Sequence, residues 1–562
     1  MKIFNIIYKT IGQIFLIALL LSTLPAKSLE RFDKAESVSD YFSGILLLND
    51  NKYEDSLQYL KKLNGLEKKH INYSIKYLYS LINSGNIREA FYFSRKLEKQ
   101  KLDIFESHLI SGVFYLKNSN LDLAREYFLK AKNKNSKFIL NNYISDSLYN
   151  WSNLTNLDQA TIDLEKLDER FQNLKKIQNV FLNCYFDNQN TDDLFIKITS
   201  NQETDFSRYN YFHASYKASN EMLDNAKKIV NSALTLYPRN LLLNQYKIDL
   251  EKNKNISVFN CEEEGDVIAE ILYIASNALS SQSIYPLSNF YLNLAKYLNE
   301  DFLSYDTLLA ENYFKVGNLN KAKKIYGNLS NKGEAFNWHS SKQIAKIYIQ
   351  EDDKKEALKL LSESYNNLLN KNIYEIFDYA EFLKNNEKFK ESIPFYTKVL
   401  NQVNKDHPLY SEVTDGRGVA YERIGEWKSA EKDLLASLEV NPDQAYVINY
   451  LAYSWIEQGI KINKSLNMLE KANKLRSNDP YITDSLGWAL FKLERFKEAK
   501  DYLQLAVRLL PGDPVVNDHY GDVLWKNGNK IQARYYWNYV LNLKQTENEL
   551  KKIIEQKLIK GL

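Results

Sequence analysis

Residues 480–544 read PYITDSLGWALFKLERFKEAKDYLQLAVRLLPGDPVVNDHYGDVLWKNGNKIQARYYWNYVLNLK, two copies of one pattern laid end to end. The first copy carries Leu486-Gly487, Leu490, Phe496, Ala499, Leu503, Ala506 and Pro511. The second carries Tyr520-Gly521, Leu524, Gly528, Ala533, Trp537 and Val540. Gly487 and Gly521 stand 34 residues apart, and so do Ala499 and Ala533. A period of this length marks a stacked helix–turn–helix unit. Its large apolar residues recur at the spacing of one helical face. Its small residues fall where two antiparallel helices cross and must approach closely. Gly425, Gly459 and Gly528 occupy the turn between the helices, where a residue free to take positive φ is favoured. Pro238, Pro442 and Pro511 stop the second helix, and Pro480 and Pro514 open the first.

The pattern continues outward. Ala90 and Ala124 are again 34 residues apart and fix the register of units at 37–69, 71–104 and 105–138, followed by a looser one at 141–173. It fades at 174–206, where the polar stretch Asn188 to Ser207 predicts a turn or loop, and returns at 207–240 with Ala214, Ala226 and Ala233. Residues 252–267, rich in Lys, Asn and Glu, break it again and read as a linker between two halves. From 268 onward the units are regular. The expected organisation is therefore a targeting segment at 1–28, an N-terminal array at 29–251 that is degenerate at 139–206, the linker, a C-terminal array at 268–547, and a capping helix at 548–562. In that last helix Leu550, Ile553, Ile554 and Leu558 share one face and the outer side is Lys- and Glu-rich, as closing an open stack requires. About twelve to fourteen repeats are predicted in all.

These units resemble the tetratricopeptide repeat (TPR). The resemblance implies an all-α solenoid, a right-handed superhelix of helix pairs, whose first helices line a concave groove that binds protein segments. The succession Asn449-Tyr450-Leu451-Ala452, Asp484-Ser485-Leu486-Gly487-Trp488 and Asn517-Asp518-His519-Tyr520-Gly521-Asp522 is further similar to bacterial cell-envelope TPR proteins that bear a signal peptide and no appended catalytic domain.

The N-terminus has the layout of a secretory signal peptide. Lys2 and Lys9 precede the apolar run Ile11 to Leu24, and Ala26-Lys27-Ser28 offers small residues for cleavage before Leu29. An uncleaved inner-membrane tether is the alternative. Removing three lysines and no acid from a chain of net charge +3 leaves the mature chain neutral. Without a basic stripe, nucleic acid is not an expected partner. Cys184 and Cys261 lie in different units and are read as unpaired, with a disulfide as the alternative in an oxidising compartment.

No catalytic constellation stands out. The six histidines are scattered, none at metal-ligand spacing, and there is no His-Glu-x-x-His, P-loop or Gly-x-Ser-x-Gly. No catalytic residue, metal or cofactor is expected. What remains is surface. If the resemblance holds, the fifth, ninth and twelfth residues of the last repeats face the groove: Asp415, Asn449, Tyr453, Asp484, Trp488, Phe491, Asp518, Asp522 and Trp525. Acids beside aromatics suit an apolar or basic peptide. They do not suit a carboxylate clamp, which needs Lys, Arg and Asn there. Trp488 and Trp525 are read equally as groove or as packing, and Trp427, Trp455 and Trp537 as core. The expected function is a non-catalytic scaffold of the bacterial cell envelope, exported to the periplasm, with a protein or peptide partner. The alternatives are a chaperone-like factor for envelope or outer-membrane protein assembly, or a regulatory subunit of an envelope polysaccharide-synthesis enzyme.

Overall fold

The computed structural model describes residues 35–134, 138–201, 204–252, 254 and 258–562; the segment read as a signal lies outside them. Among the described residues all regular structure is helical, thirty α-helices and three short 3-10 turns. The chain divides into two compact units between Asn366 and Asn367.

In the N-terminal unit most helix pairs turn through a residue with positive φ. Asn51, Gly85 and Ser119 follow one another at 34-residue intervals, and after one repeat without such a residue Asp187 and Glu221 resume the count. The array therefore runs on where its signal fades, as helices Gln172–Tyr185 and Thr191–Thr199, the second of them inside the polar stretch Asn188 to Ser207 that was expected to contain a turn or loop. Its signal is faint because polar packing replaces small residues there. Buried Gln178 accepts from Trp151 Nε1 at 2.9 Å and donates to the hydroxyls of Tyr143 and Ser147 at 2.8 and 3.1 Å.

The described residues 258–263, in the stretch read as a linker between two halves, lead into a return of the chain onto its N-terminal helices. Helices Glu264–Ser281 and Tyr285–Leu298 fold back onto the helices Ile71–Asn83, Phe105–Lys117 and Ile139–Ser152. Phe290 meets the Tyr79 ring edge-on at 4.7 Å, Asn83 Nδ2 donates to the Pro286 carbonyl at 3.1 Å, and the Tyr291 hydroxyl donates to Asn141 Oδ1 at 2.8 Å. Arg208 forms two 2.8 Å hydrogen bonds to buried Glu270, with its guanidinium 3.9 Å from the Tyr273 ring centroid. One hydrophobic core accordingly extends from Leu48 to Ile347. Cys184 and Cys261, read as unpaired, are joined in a disulfide because the return brings their Cα atoms to 5.9 Å.

The C-terminal unit pairs Ile373–Asn385 with Phe389–Leu400, Tyr410–Arg423 with Trp427–Val440, Ala445–Glu457 with Ile462–Leu475, Pro480–Lys492 with Phe496–Leu509, and Pro514–Lys526 with Lys530–Asn542. Asn548–Lys560 closes it. Asp479 and Asp513 each accept two backbone N–H bonds at the start of a helix whose first residue is proline, which fixes where those helices begin. The crossings are tight. A Cβ on Gly487 would lie 2.7 Å from Leu503 Cγ, and one on Gly521 would lie 2.5 Å from Trp537 Nε1.

Candidate interaction surface

The leading helices of successive pairs in the C-terminal unit stand side by side, so residues at similar repeat positions meet across neighbours. Asp484 and His519, the fifth and sixth residues of their repeats, meet in this way: His519 Nδ1 pairs with Asp484 Oδ2 at 2.9 Å, and both side chains are buried. The His519 ring stacks on Trp488 with centroids 3.9 Å apart, and Trp488 stacks on Phe491 at 4.7 Å. Trp488 Nε1 donates to Glu457 Oε1 at 2.6 Å on the preceding leading helix. Trp488 is thus held by three successive leading helices, and packing rather than an open groove accounts for it.

The acids expected to line an open groove are also taken up. Asp484, Asp518 and Asp522 are 5%, 7% and 3% exposed, and Asp518 and Asp522 both grip Lys557 of the closing helix. The Lys557 ammonium lies 2.6–2.8 Å from all four of their carboxylate oxygens. Trp537 Nε1 donates to Asp522 Oδ1 at 3.0 Å. Trp525 leans on Trp537 at 5.4 Å, and the backbone at Gly561 approaches its ring so closely that a Cβ there would clash with it. Ile554 is the buried apolar anchor of the closing helix, with Leu550 and Leu558 packed beside it. Ile553, expected on that face, points outward and is 49% exposed.

Electrostatics follow from this crowding. Burial pushes the Asp522 carboxyl up to about 6, and neighbouring Asp518 adds to the effect while Lys557 opposes it. Burial alone drives the His519 imidazole down, but Asp484, with Asp518 and Asp522 nearby, outweighs it and holds the ring above its ordinary value. Asp415 lies apart from this cluster. Burial, helped by Glu381 and Glu412 and opposed by Lys384, pushes it up to about 6 as well. Asn449 lies on the leading helix between them, and its buried Oδ1 has no partner among the described residues. Tyr453, Phe491 and Trp525 are the aromatics of the expected set that keep part of their surface open. Of the remaining tryptophans, Trp455 and Trp537 are core, as read, while Trp427 is half-buried.

Sequence reasoning missed Lys557, the cation that pairs with Asp518 and Asp522, and Glu457, the acceptor for the Trp488 indole. Lys557 was read only as part of the Lys- and Glu-rich side of the closing helix, and Glu457 was not singled out. Among the described residues no group of His, Cys, Asp and Glu is placed to hold a metal ion, and no helix is long and apolar enough to cross a membrane.

The tetratricopeptide-repeat family model matches residues 309–546. A TPR repeat-containing protein of Pseudomonas aeruginosa is 29% identical over 144 residues, which are 25% of this chain and 23% of that relative's own length. A TPR repeat-containing protein of Methanocaldococcus jannaschii is 22% identical over 537 residues, 92% of this chain and 84% of that protein. Among solved structures, MamA from Desulfovibrio magneticus is 15% identical and covers 31% of this chain and 97% of its own, with a TM-score of 0.27.

Proposed function

Starting from the fact that the chain is a tetratricopeptide-repeat protein, we propose that it is a non-catalytic scaffold that holds partner proteins along the leading helices of its C-terminal repeats. The observation that carries this is the set of polar and aromatic residues on those helices, from Asp415 and Asn449 through Tyr453 and Phe491 to Trp525, whose aromatics keep part of their surface open. Large aromatics with part of their surface open, set beside acids, suit an apolar or basic protein segment. We place the protein in the cell envelope as an exported, periplasmic or membrane-tethered chain. Two features support that reading: the cleavable-signal layout of residues 1–28 and the Cys184–Cys261 disulfide, since such bonds persist in oxidising compartments.

The test is crosslinking and affinity capture of the full chain from native envelopes, with mass spectrometry of the crosslinks and of the mature N-terminus. One dominant partner linked near Tyr453 to Trp525 is the expected result. A spread of unrelated exported clients would replace the scaffold by a chaperone, and a synthase as sole partner would make the protein its regulatory subunit. No enriched protein would overturn the proposal.

A further inference from the structure

Three buried acids, Asp484, Asp518 and Asp522, sit in one packed layer of the last two repeats. His519 answers the first of them, and a single ammonium, that of Lys557, answers the other two. An unanswered buried carboxylate is strongly destabilising, so this layer is built around a cation that arrives from outside the repeats. The segment that brings it is weakly anchored otherwise. Of the thirteen residues in Asn548–Lys560 only Ile554 is buried, whereas Pro514–Lys526, of equal length, buries ten. The closing helix is tied to the repeats by the short stretch Leu543 to Glu547, in which only Thr546 is buried.

From this imbalance of strong charge complementarity and slight apolar anchorage, we infer that the helix Asn548–Lys560 is a resident occupant of a docking site for Lys-bearing amphipathic helices, and that a partner helix of the same pattern docks by replacing it. The inference rests on the scaffold reading and names the partner's chemistry. The resident supplies the template: a lysine with Leu or Ile seven and three residues before it and one residue after it, as Leu550, Ile554 and Leu558 stand to Lys557. A neutral helix of the same shape is rejected, because it strands Asp518 and Asp522 without a cation. The Trp525 indole, against which the end of the resident rests, becomes the aromatic wall of the vacated site.

The probe is a fluorescently labelled peptide of residues 546–562, titrated into the full chain and followed by anisotropy. In the wild-type chain the tethered helix competes at high effective concentration, so binding is weak. In the full-length Lys557→Ala chain the resident is loosened while every groove acid is retained, and the peptide is expected to bind at least about tenfold tighter. The same peptide with its own Lys557 replaced by Glu is expected to lose that binding. A folded Lys557→Ala chain that binds no better than wild type overturns the inference.

Hydrogen exchange on the wild-type chain decides the matter even if the variant fails to fold. Amides of 548–560 are expected to open well before those of Pro514–Lys526, and equal protection would make the helix a permanent cap. That outcome sinks this inference alone, since a partner crosslinked between Tyr453 and Phe491 still upholds the scaffold. Fast opening with no partner captured from envelopes sinks the scaffold reading instead.

Discussion

Gly521 tolerates no side chain because the Trp537 indole fills the space where its Cβ would stand. Trp537 is fully buried and donates to Asp522, so it has nowhere to move. Gly521→Ala is therefore expected to cost about 1–3 kcal/mol, as overpacking of a tight core does, and chemical denaturation checks it. Glu494 makes the opposite case. It occupies the turn position that Gly528 fills 34 residues later, and it holds φ at +60°. Left-handed backbone is costly for a residue with a Cβ and nearly free for glycine. Glu494→Gly is expected to stabilise the chain by about 0.5–1 kcal/mol, which the same denaturation experiment would show as a higher midpoint. Ser119, Asp187, Glu221, Ser283, Asp352 and Glu387 take this backbone as well. Their side chains hide the turn from anyone reading for glycine, although the backbone requirement is the same.

At the scale of the element, the junction of Pro514–Lys526 with the closing helix should respond to pH, and the sign can be worked out. The Asp522 carboxyl is pushed above its ordinary value, to about 6, so the folded state takes up a proton before the unfolded state does. His519 is also held above its ordinary value, so the stability it contributes is complete below its unfolded value and is lost as pH rises through the folded one. Both groups favour the folded junction on the acid side of neutrality. Glu457 reaches the same layer through Trp488, and Asp484, Asp518 and Lys557 complete the set of charges that face it. The amides of 514–560 are expected to be better protected near about pH 5.5 than near about pH 8, and Asp522→Asn should flatten that difference. A protection pattern that weakens on acidification would contradict the assignment.

At the scale of the molecule, the N-terminal unit is stabilised by contacts between residues far apart in sequence. The Cys184–Cys261 bond closes a loop of 77 residues and ties the returning segment to the helix Gln172–Tyr185. Replacing both cysteines by serine is expected to lower the stability of that unit by about 2–4 kcal/mol, read as faster exchange in 172–298 with little change in 480–542. The buried Arg208–Glu270 pair holds the same return from the other side. Truncating Arg208 to Ala leaves a buried carboxylate without its cation and is expected to cost about 3–5 kcal/mol, measurable as a drop in the denaturation midpoint of the N-terminal unit.

The sequence by itself determined the repeat. Period, crossing glycines and proline punctuation are local requirements of two helices that touch and turn, and they leave fixed residues at fixed intervals. It also determined most of the leading-helix positions, because repeat register carries over from one pair to the next. Only the tertiary structure decided that the helix Glu264–Ser281 begins a return, that Cys184 meets Cys261, and that the helix Gln172–Tyr185 keeps the array by hydrogen bonding through Gln178. Only it showed that Lys557 already occupies the acids read as an open groove. These are contacts between residues tens to hundreds of positions apart, and periodicity constrains neighbours in the stack while saying nothing about which charge from a distant helix will neutralise a buried acid.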